Sequence, residues 1–303
     1  MALRLRDPVP MSRARAWVLA ARPKTLAAAV APVAVGTGLA AHDGVWAVLP
    51  ATAALVGAIL IQVATNLAND YYDFQRGGDT EERVGPTRVT QAGLIPPEAV
   101  FRAMLGTLGA AFAVGIYLVA VGGWPVVWIG LASLACAVLY TGGPFPLAYH
   151  GLGDLFVFVF FGLLAVGGTY WVQGLAWPGG AFLAGVAMGA LNTAILVVNN
   201  LRDIETDAQA DKRTLAVRLG VRGTQVEFLA LLGLAAVTPV VGIRVLGWPV
   251  WTLASLAALF LALPAARTVL TFQHPRELFP ALGQTARVVA LYGVVLALGL
   301  AWG

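Results

Sequence analysis

Two stretches of acids and amides carry the residues able to do chemistry. The first is Asn66-Leu-Ala-Asn69-Asp70-Tyr71-Tyr72-Asp73, which continues through Arg76, Asp79, Glu81, Glu82 and Arg83 to Arg88. The second is Asn199-Asn200-Leu-Arg202-Asp203-Ile-Glu205-Thr-Asp207, followed by Asp211, Lys212 and Arg213. Each closes a long apolar run. Steps of about 100° per residue place Asn66, Asp70 and Asp73 within one narrow arc of a helix, and the i, i+4, i+8 spacing of Asn199, Asp203 and Asp207 keeps them on one side. Left alone, so many carboxylates would repel one another and favour protonation. A hard cation removes that conflict: Mg2+ prefers oxygen and is held by one or two carboxylates plus substrate phosphates. The pattern therefore predicts two Mg2+ sites, one from Asp70 and Asp73 and one from Asp203 and Asp207, gripping a single diphosphate. Arg76, Arg83, Arg88, Arg202, Lys212 and Arg213 fit that reading, since phosphate oxygens not bound to metal want charge-assisted donors. Acids at span ends are often only solvated loop starts, but a second matching cluster on the same face favours ligand binding.

The elements that must hold these residues are transmembrane helices. The 303 residues are 59% hydrophobic and 11% charged, with a mean hydropathy of +0.81, far from the roughly 25% charged of a soluble domain. A span needs about 20 mostly apolar residues. Such runs lie near 25 to 42, 46 to 69, 98 to 120, 124 to 141, 152 to 174, 178 to 200, 224 to 246, 249 to 271 and 283 to 302. The fold class is all-α and polytopic, with nine predicted transmembrane helices. With this count, all Lys and Arg except Arg244 fall on the side of the N-terminus. Positive residues mark the cytoplasmic face, so the N-terminus and both clusters are expected in the cytoplasm and the C-terminus outside, in the plasma membrane. The loops between spans 2 and 3, 4 and 5, and 6 and 7 are then expected to form a cytoplasmic cap.

The basic balance, with a pI near 9.5, follows from the same bias and does not call for nucleic acid. A lone Cys136 allows no intrachain disulfide, and His42, His150 and His274 are too scattered for a zinc site. The Arg-rich start followed by apolar residues reads as an uncleaved first span. Asn66 and Asn199 lie deepest, where an unpaired amide is costly, so each is expected to meet metal-bound water, a carboxylate or the diphosphate. Arg22 and Lys24, flanking Pro23, are placed to lean over the pocket toward an anion. Asp154 reads equally as an N-cap or as a functional intramembrane acid. Asn-x-x-x-Asp at 66 and 70 returns at 199 and 203, four spans later. One domain over 1–303 is expected, made of four-helix units at about 22–150 and 151–272 plus a final helix.

These residues carry a resemblance. Asn69-Asp70-Tyr-Tyr-Asp73 and the acids at 203 and 207 resemble the paired motifs of UbiA-type intramembrane prenyltransferases. Asp79 to Gly93, Tyr140-Thr-Gly-Gly-Pro144, and Asn199 to Asp207 with Lys212 to Gly220 resemble, within them, the 1,4-dihydroxy-2-naphthoate polyprenyltransferases of menaquinone synthesis. Phe145 and His150 stand where that family has a basic residue, and Asp211 where a small one is commoner. The resemblance implies nine helices around a central cavity, a Mg2+ cofactor, and transfer of a polyprenyl group from polyprenyl diphosphate to 1,4-dihydroxy-2-naphthoate. Loss of the carboxylate would give demethylmenaquinone. It implies catalytic roles for Asp70, Asp73, Asp79, Asp203 and Asp207, and substrate contacts from Asn66, Asn199, Arg22, Lys24, Arg83, Arg88, Tyr140, Tyr149 and Lys212. Aromatic faces of Tyr71, Tyr72, Tyr140 and Tyr149 are candidates to stabilise an allylic cation, and Asp79 or Asp154 to assist deprotonation. The alternatives are another aromatic acceptor (4-hydroxybenzoate or homogentisate) and, in a different class, a divalent-cation transporter, which the one-sided acids disfavour. The bilayer is the expected environment; the sequence leaves the oligomeric state open.

Overall fold

The protein is described by a computed structural model that covers residues 12–76 and 88–303. Asp79 and Arg83, named above as site residues, lie outside the described residues. In hydrocarbon each backbone N–H must find its partner within its own segment, and the apolar runs accordingly form helices. In chain order these are α1 (Arg13–Ala21), α2 (Ala27–His42), α3 (Val48–Gln75), α4 (Pro97–Gly122), α5 (Trp124–Leu139), α6 (Gly153–Gly174) and α7 (Gly179–Arg202). A short α8 (Ile204–Gln209) follows, then α9 (Leu215–Leu246), α10 (Ser255–Phe260), α11 (Leu263–Thr271) and α12 (Leu278–Ala301).

Among the described residues, six helices are long and apolar enough to cross a membrane, and up to eight if each bent pair counts as one span. The bent pairs are Arg13–Thr25 with α2, at 48°, and Val250–Phe260 with α11, at 43°. Arg22, in the left-handed region at φ 49° before Pro23, makes the first bend. Helix α5 has 16 residues, about 24 Å of rise against about 30 Å of hydrocarbon. The seventh expected span begins earlier than hydropathy placed it: α9 starts at Leu215, its first turn capped by Thr214, and breaks at Gly220 (φ 69°). Likewise α12 starts at Leu278 rather than near 283. Both extensions carry polar residues that lower hydropathy without ending a helix.

Burial ranks the helices by position. In α7, 72% of the central window is buried, against 11% in α4, so α7 is the axis of the bundle and α4 faces the lipid. Helix α9 packs on α7, α12 on α2 and α7, and α3 on α4. Val35, Leu39, Met188, Leu191, Val288, Tyr292 and Leu296 share the main core, and the Tyr292 hydroxyl donates to the Ala235 carbonyl at 2.8 Å. Helix α6 reaches α7 through glycine. A Cβ on Gly162 would sit 2.4 Å from the Gly189 Cα, and this approach falls within a π-helical stretch, Val159–Leu164. A second core, with Ala16, Ala20, Leu67, Ala68, Val89, Ile95 and Met104, ties α1 and the segment around residue 90 to the polar end of α3.

Candidate active site

Helices α2 to α7 enclose a cavity of about 990 Å³. One end is polar: Arg22, Asn66, Asn69, Asp73, Arg88, Asn199, Asp203, Asp207 and Lys212 all line it. The rest is apolar, with Ile61, Leu118, Ile129, Leu134, Phe160 and Phe161 among its walls. Phe112 and Ile116 line the cavity yet are 54% and 60% exposed, so the wall is open toward lipid along α4.

Each acid at the polar end has a cation beside it. Asp73 accepts from Arg88 at 2.8 Å, and the Tyr149 hydroxyl stands 3.5 Å from its other oxygen. Arg202 forks onto Asp203 through Nε (2.7 Å) and Nη2 (2.5 Å), donates to Asn199 Oδ1 at 2.9 Å, and lies 5.0 Å over the Phe279 ring. Lys212 reaches Asp207 at 3.1 Å, with its ammonium 5.7 Å from the centre of the Tyr149 ring. Loops from the two halves of the chain are tied around this end. Arg213 N–H donates to the Tyr149 carbonyl at 3.0 Å, Arg218 to the His150 carbonyl at 2.8 Å, and Arg76 to the Gly143 carbonyl. His150 has a packing role, stacked 3.6 Å from Phe145.

The structure gathers most of the expected residues but moves several. Asp70 is 1% exposed and is not on the cavity wall; its oxygens accept from the backbone N–H groups of Val89 (3.2 Å) and Thr90 (3.0 Å). The reason is angular. Relative to Asn66, Asn69 and Asp73 fall about 60° and 20° to one side and Asp70 about 40° to the other, and the cavity lies on the first side. Asn69 therefore replaces Asp70 on the wall, its Oδ1 accepting from the Thr141 hydroxyl at 2.9 Å. Asn66 finds protein partners, donating to the Ala21 carbonyl and to Thr25 Oγ1 at 2.9 Å each. Asn199 is engaged by Arg202. Lys24 is exposed and off the wall, whereas Arg22 lines it. Tyr140 and Tyr149 line the cavity, but Tyr71 and Tyr72 do not; Tyr71 packs on Phe101 at 5.0 Å. Sequence reading missed Thr25, Gln62 and Asn192, all on the wall. Each is a polar residue inside or at the start of an apolar run, which was the available signal.

Among the described residues, no three Asp, Glu, His or Cys side chains gather to hold a metal by themselves. That matches the way Mg2+ binds, with one or two carboxylates and the remaining oxygens from phosphate and water. The donor set of Asp73, Asp203 and Asp207 with the neighbouring amides is all oxygen, and it fits. Asp70, engaged by two amides, does not.

A helical membrane bundle whose cavity joins an acid-and-base rim to a long apolar hollow defines a multi-pass protein that handles a lipid with a charged head. The chain belongs to the UbiA prenyltransferase family, which it matches over residues 29–288. It is 42% identical to a 1,4-dihydroxy-2-naphthoate octaprenyltransferase of Mycobacterium tuberculosis over 95% of this chain and 97% of that one. Its fold is shared with a UbiA homologue of Aeropyrum pernix (TM-score 0.69, 13% identity, 88% of this chain and 97% of that one). A UbiA homologue of Archaeoglobus fulgidus bound to DMAPP and Mg2+ also shares it (TM-score 0.61, 16% identity, 92% and 98%).

Proposed function

We propose that the protein transfers a polyprenyl group from polyprenyl diphosphate to 1,4-dihydroxy-2-naphthoate with Mg2+, losing the ring carboxylate to give demethylmenaquinone. The observation that carries this is the two-ended cavity, with charge at one end and an apolar hollow beyond, in a chain so similar to an enzyme named for that reaction. Asp73 on α3 and Asp203 and Asp207 beside α7 would hold the metal, with Asp70 keeping the neighbouring loop in place. When bound, Mg2+ supplies positive charge against the diphosphate as it departs. Arg22, Arg88 and Lys212 bind phosphate oxygens, exchanging their carboxylate partners for the ligand. Tyr140 and Tyr149 present aromatic faces to the allylic carbon, and the apolar wall keeps water from it. Asp79 and Arg83 are assigned to the same end by resemblance.

The arrangement in the membrane completes this reading. Nine spans are obtained by counting α5 and both bent pairs, with the N-terminus and active site cytoplasmic, the C-terminus outside, and the three longer loops as a cap. The membrane is the plasma membrane, and the chain is one domain of two four-helix units plus a last helix. The test is an assay of purified protein with labelled polyprenyl diphosphate and each of dihydroxynaphthoate, 4-hydroxybenzoate and homogentisate, with and without Mg2+. Metal-dependent product with dihydroxynaphthoate is expected; product only with 4-hydroxybenzoate overturns the acceptor.

A further inference from the structure

Three buried oxygens on the cavity wall are acceptors and nothing else. Gln62 Oε1, Asn192 Oδ1 and Asp154 Oδ2 have no hydrogen-bond partner among the described residues, and their residues are 7%, 3% and 6% exposed. All three residues line the cavity. Chemistry fixes which atom each amide presents. The Thr25 hydroxyl spends its hydrogen on the Arg22 carbonyl (2.9 Å), so Oγ1 can only accept, and it takes the Gln62 amide N–H2 at 3.2 Å. The Asn192 N–H2 donates to two carbonyls, Ala28 at 3.2 Å and Phe161 at 3.0 Å. Neither amide can turn over without setting oxygen against oxygen. Both oxygens therefore face away from those partners, and a buried acceptor left unpaired is costly.

What would satisfy them must bring O–H donors. A prenyl diphosphate ester has none along its apolar chain, and its head is itself an acceptor. A ring with two hydroxyl groups has two. We propose that Gln62, Asn192 and Asp154 form a hydroxyl-recognition site for a dihydroxyaromatic acceptor, which selects the acceptor ring and sets its orientation. The ring's carboxylate then points to the Arg22 side of the polar end. This rests on the function proposed above, and it adds residues on α3, α6 and α7 that lie outside the aspartate motifs. The three oxygens come from three helices, so the ring is fixed from several directions at once.

The test measures binding, independent of turnover, on the full chain in detergent by calorimetry. The probes are 1,4-dihydroxy-2-naphthoate and its 1,4-dimethoxy analogue, which keeps the ring and carboxylate but has no donor. The wild-type protein is expected to bind the dihydroxy acid more tightly by roughly tenfold or more, the scale of leaving buried acceptors unpaired. In Asn192→Leu, and separately in Gln62→Leu, that preference should shrink severalfold while the dissociation constant for a polyprenyl diphosphate stays within about twofold, since such donors and acceptors act on the ring alone. Equal binding of the two probes by the wild-type protein overturns the site, as it would if water alone met these oxygens, even when prenyl transfer is observed. Conversely, a wild-type preference for the dihydroxy acid without any prenyl transfer leaves the site standing and removes the proposed reaction. The two-probe comparison needs no variant, so a variant that fails to fold does not affect it.

Discussion

At the scale of single residues, the two acids of the first motif have separate jobs. Asp70 is buried and holds two backbone amides of the segment at 89–90. Asp73 stands on the cavity wall beside Arg88. Asp70→Ala should cost about 1–3 kcal/mol, the penalty of stranding buried donors, and lower the melting temperature measured in detergent. Asp73→Asn keeps shape and a hydrogen-bond acceptor, so it should melt near wild type while losing at least about a hundredfold in turnover, the scale of removing a preorganised charge contact. Equal melting losses in both variants would contradict this division. The sequence made the motif legible because amides and acids at the end of an apolar run have few structural excuses. It could not tell which flank of the helical arc would face the cavity. The arc was right to within one residue, and the choice between Asn69 and Asp70 depends on where the 88–95 segment docks. The partners of Asn66 likewise come from α1 and the bend at Pro23, which no local pattern encodes.

At the scale of elements, the crossing of α6 and α7 holds the site's two halves in register. Gly162 and Gly185 with Gly189 bring the backbones together, and small residues are what membrane helices use for such contact. Gly189→Leu has no room: a Cβ there would lie 2.6 Å from the Phe158 carbonyl oxygen. We expect it to destabilise the protein by at least about 1–3 kcal/mol, as overpacking does, seen as early loss of helical signal on heating. A variant melting like wild type would mean the helices separate freely. Hydropathy located the long helices well, because a run of about 20 apolar residues has few alternatives. It was blind to the bends at Arg22 and between α10 and α11, and to the π-helical stretch in α6, all of which arise from packing between helices. It also cut α9 and α12 short, since polar residues there continue a helix that tertiary contacts hold.

At the scale of the whole molecule, the charged end is balanced by its own side chains, and the apolar hollow sets what the chain can accommodate. Asp73, Asp203 and Asp207 each have a cation partner, so the fold does not depend on metal to offset their repulsion. Chelation should therefore abolish turnover while moving the melting temperature little, in contrast to a structural metal, whose removal unfolds the domain. A large melting shift on adding EDTA would place the metal in the fold instead. The hollow makes a further demand. Gly168 on α6 lines it, and a Cβ there meets only Ile129, at 3.8 Å, so a larger side chain enters the space a prenyl tail needs without striking backbone. In Gly168→Phe the ring fills part of the hollow while the charged end, formed by other helices, is untouched. The expected result is a drop in kcat/KM that grows with prenyl length, from near wild type for a ten-carbon diphosphate to about tenfold or more for a forty-carbon one, the cost of one misfitted aromatic group being about 1–3 kcal/mol. Competition between short and long diphosphates in one reaction measures this directly. A loss equal at every length would mean that the tail leaves through the open wall at α4 and never passes Gly168.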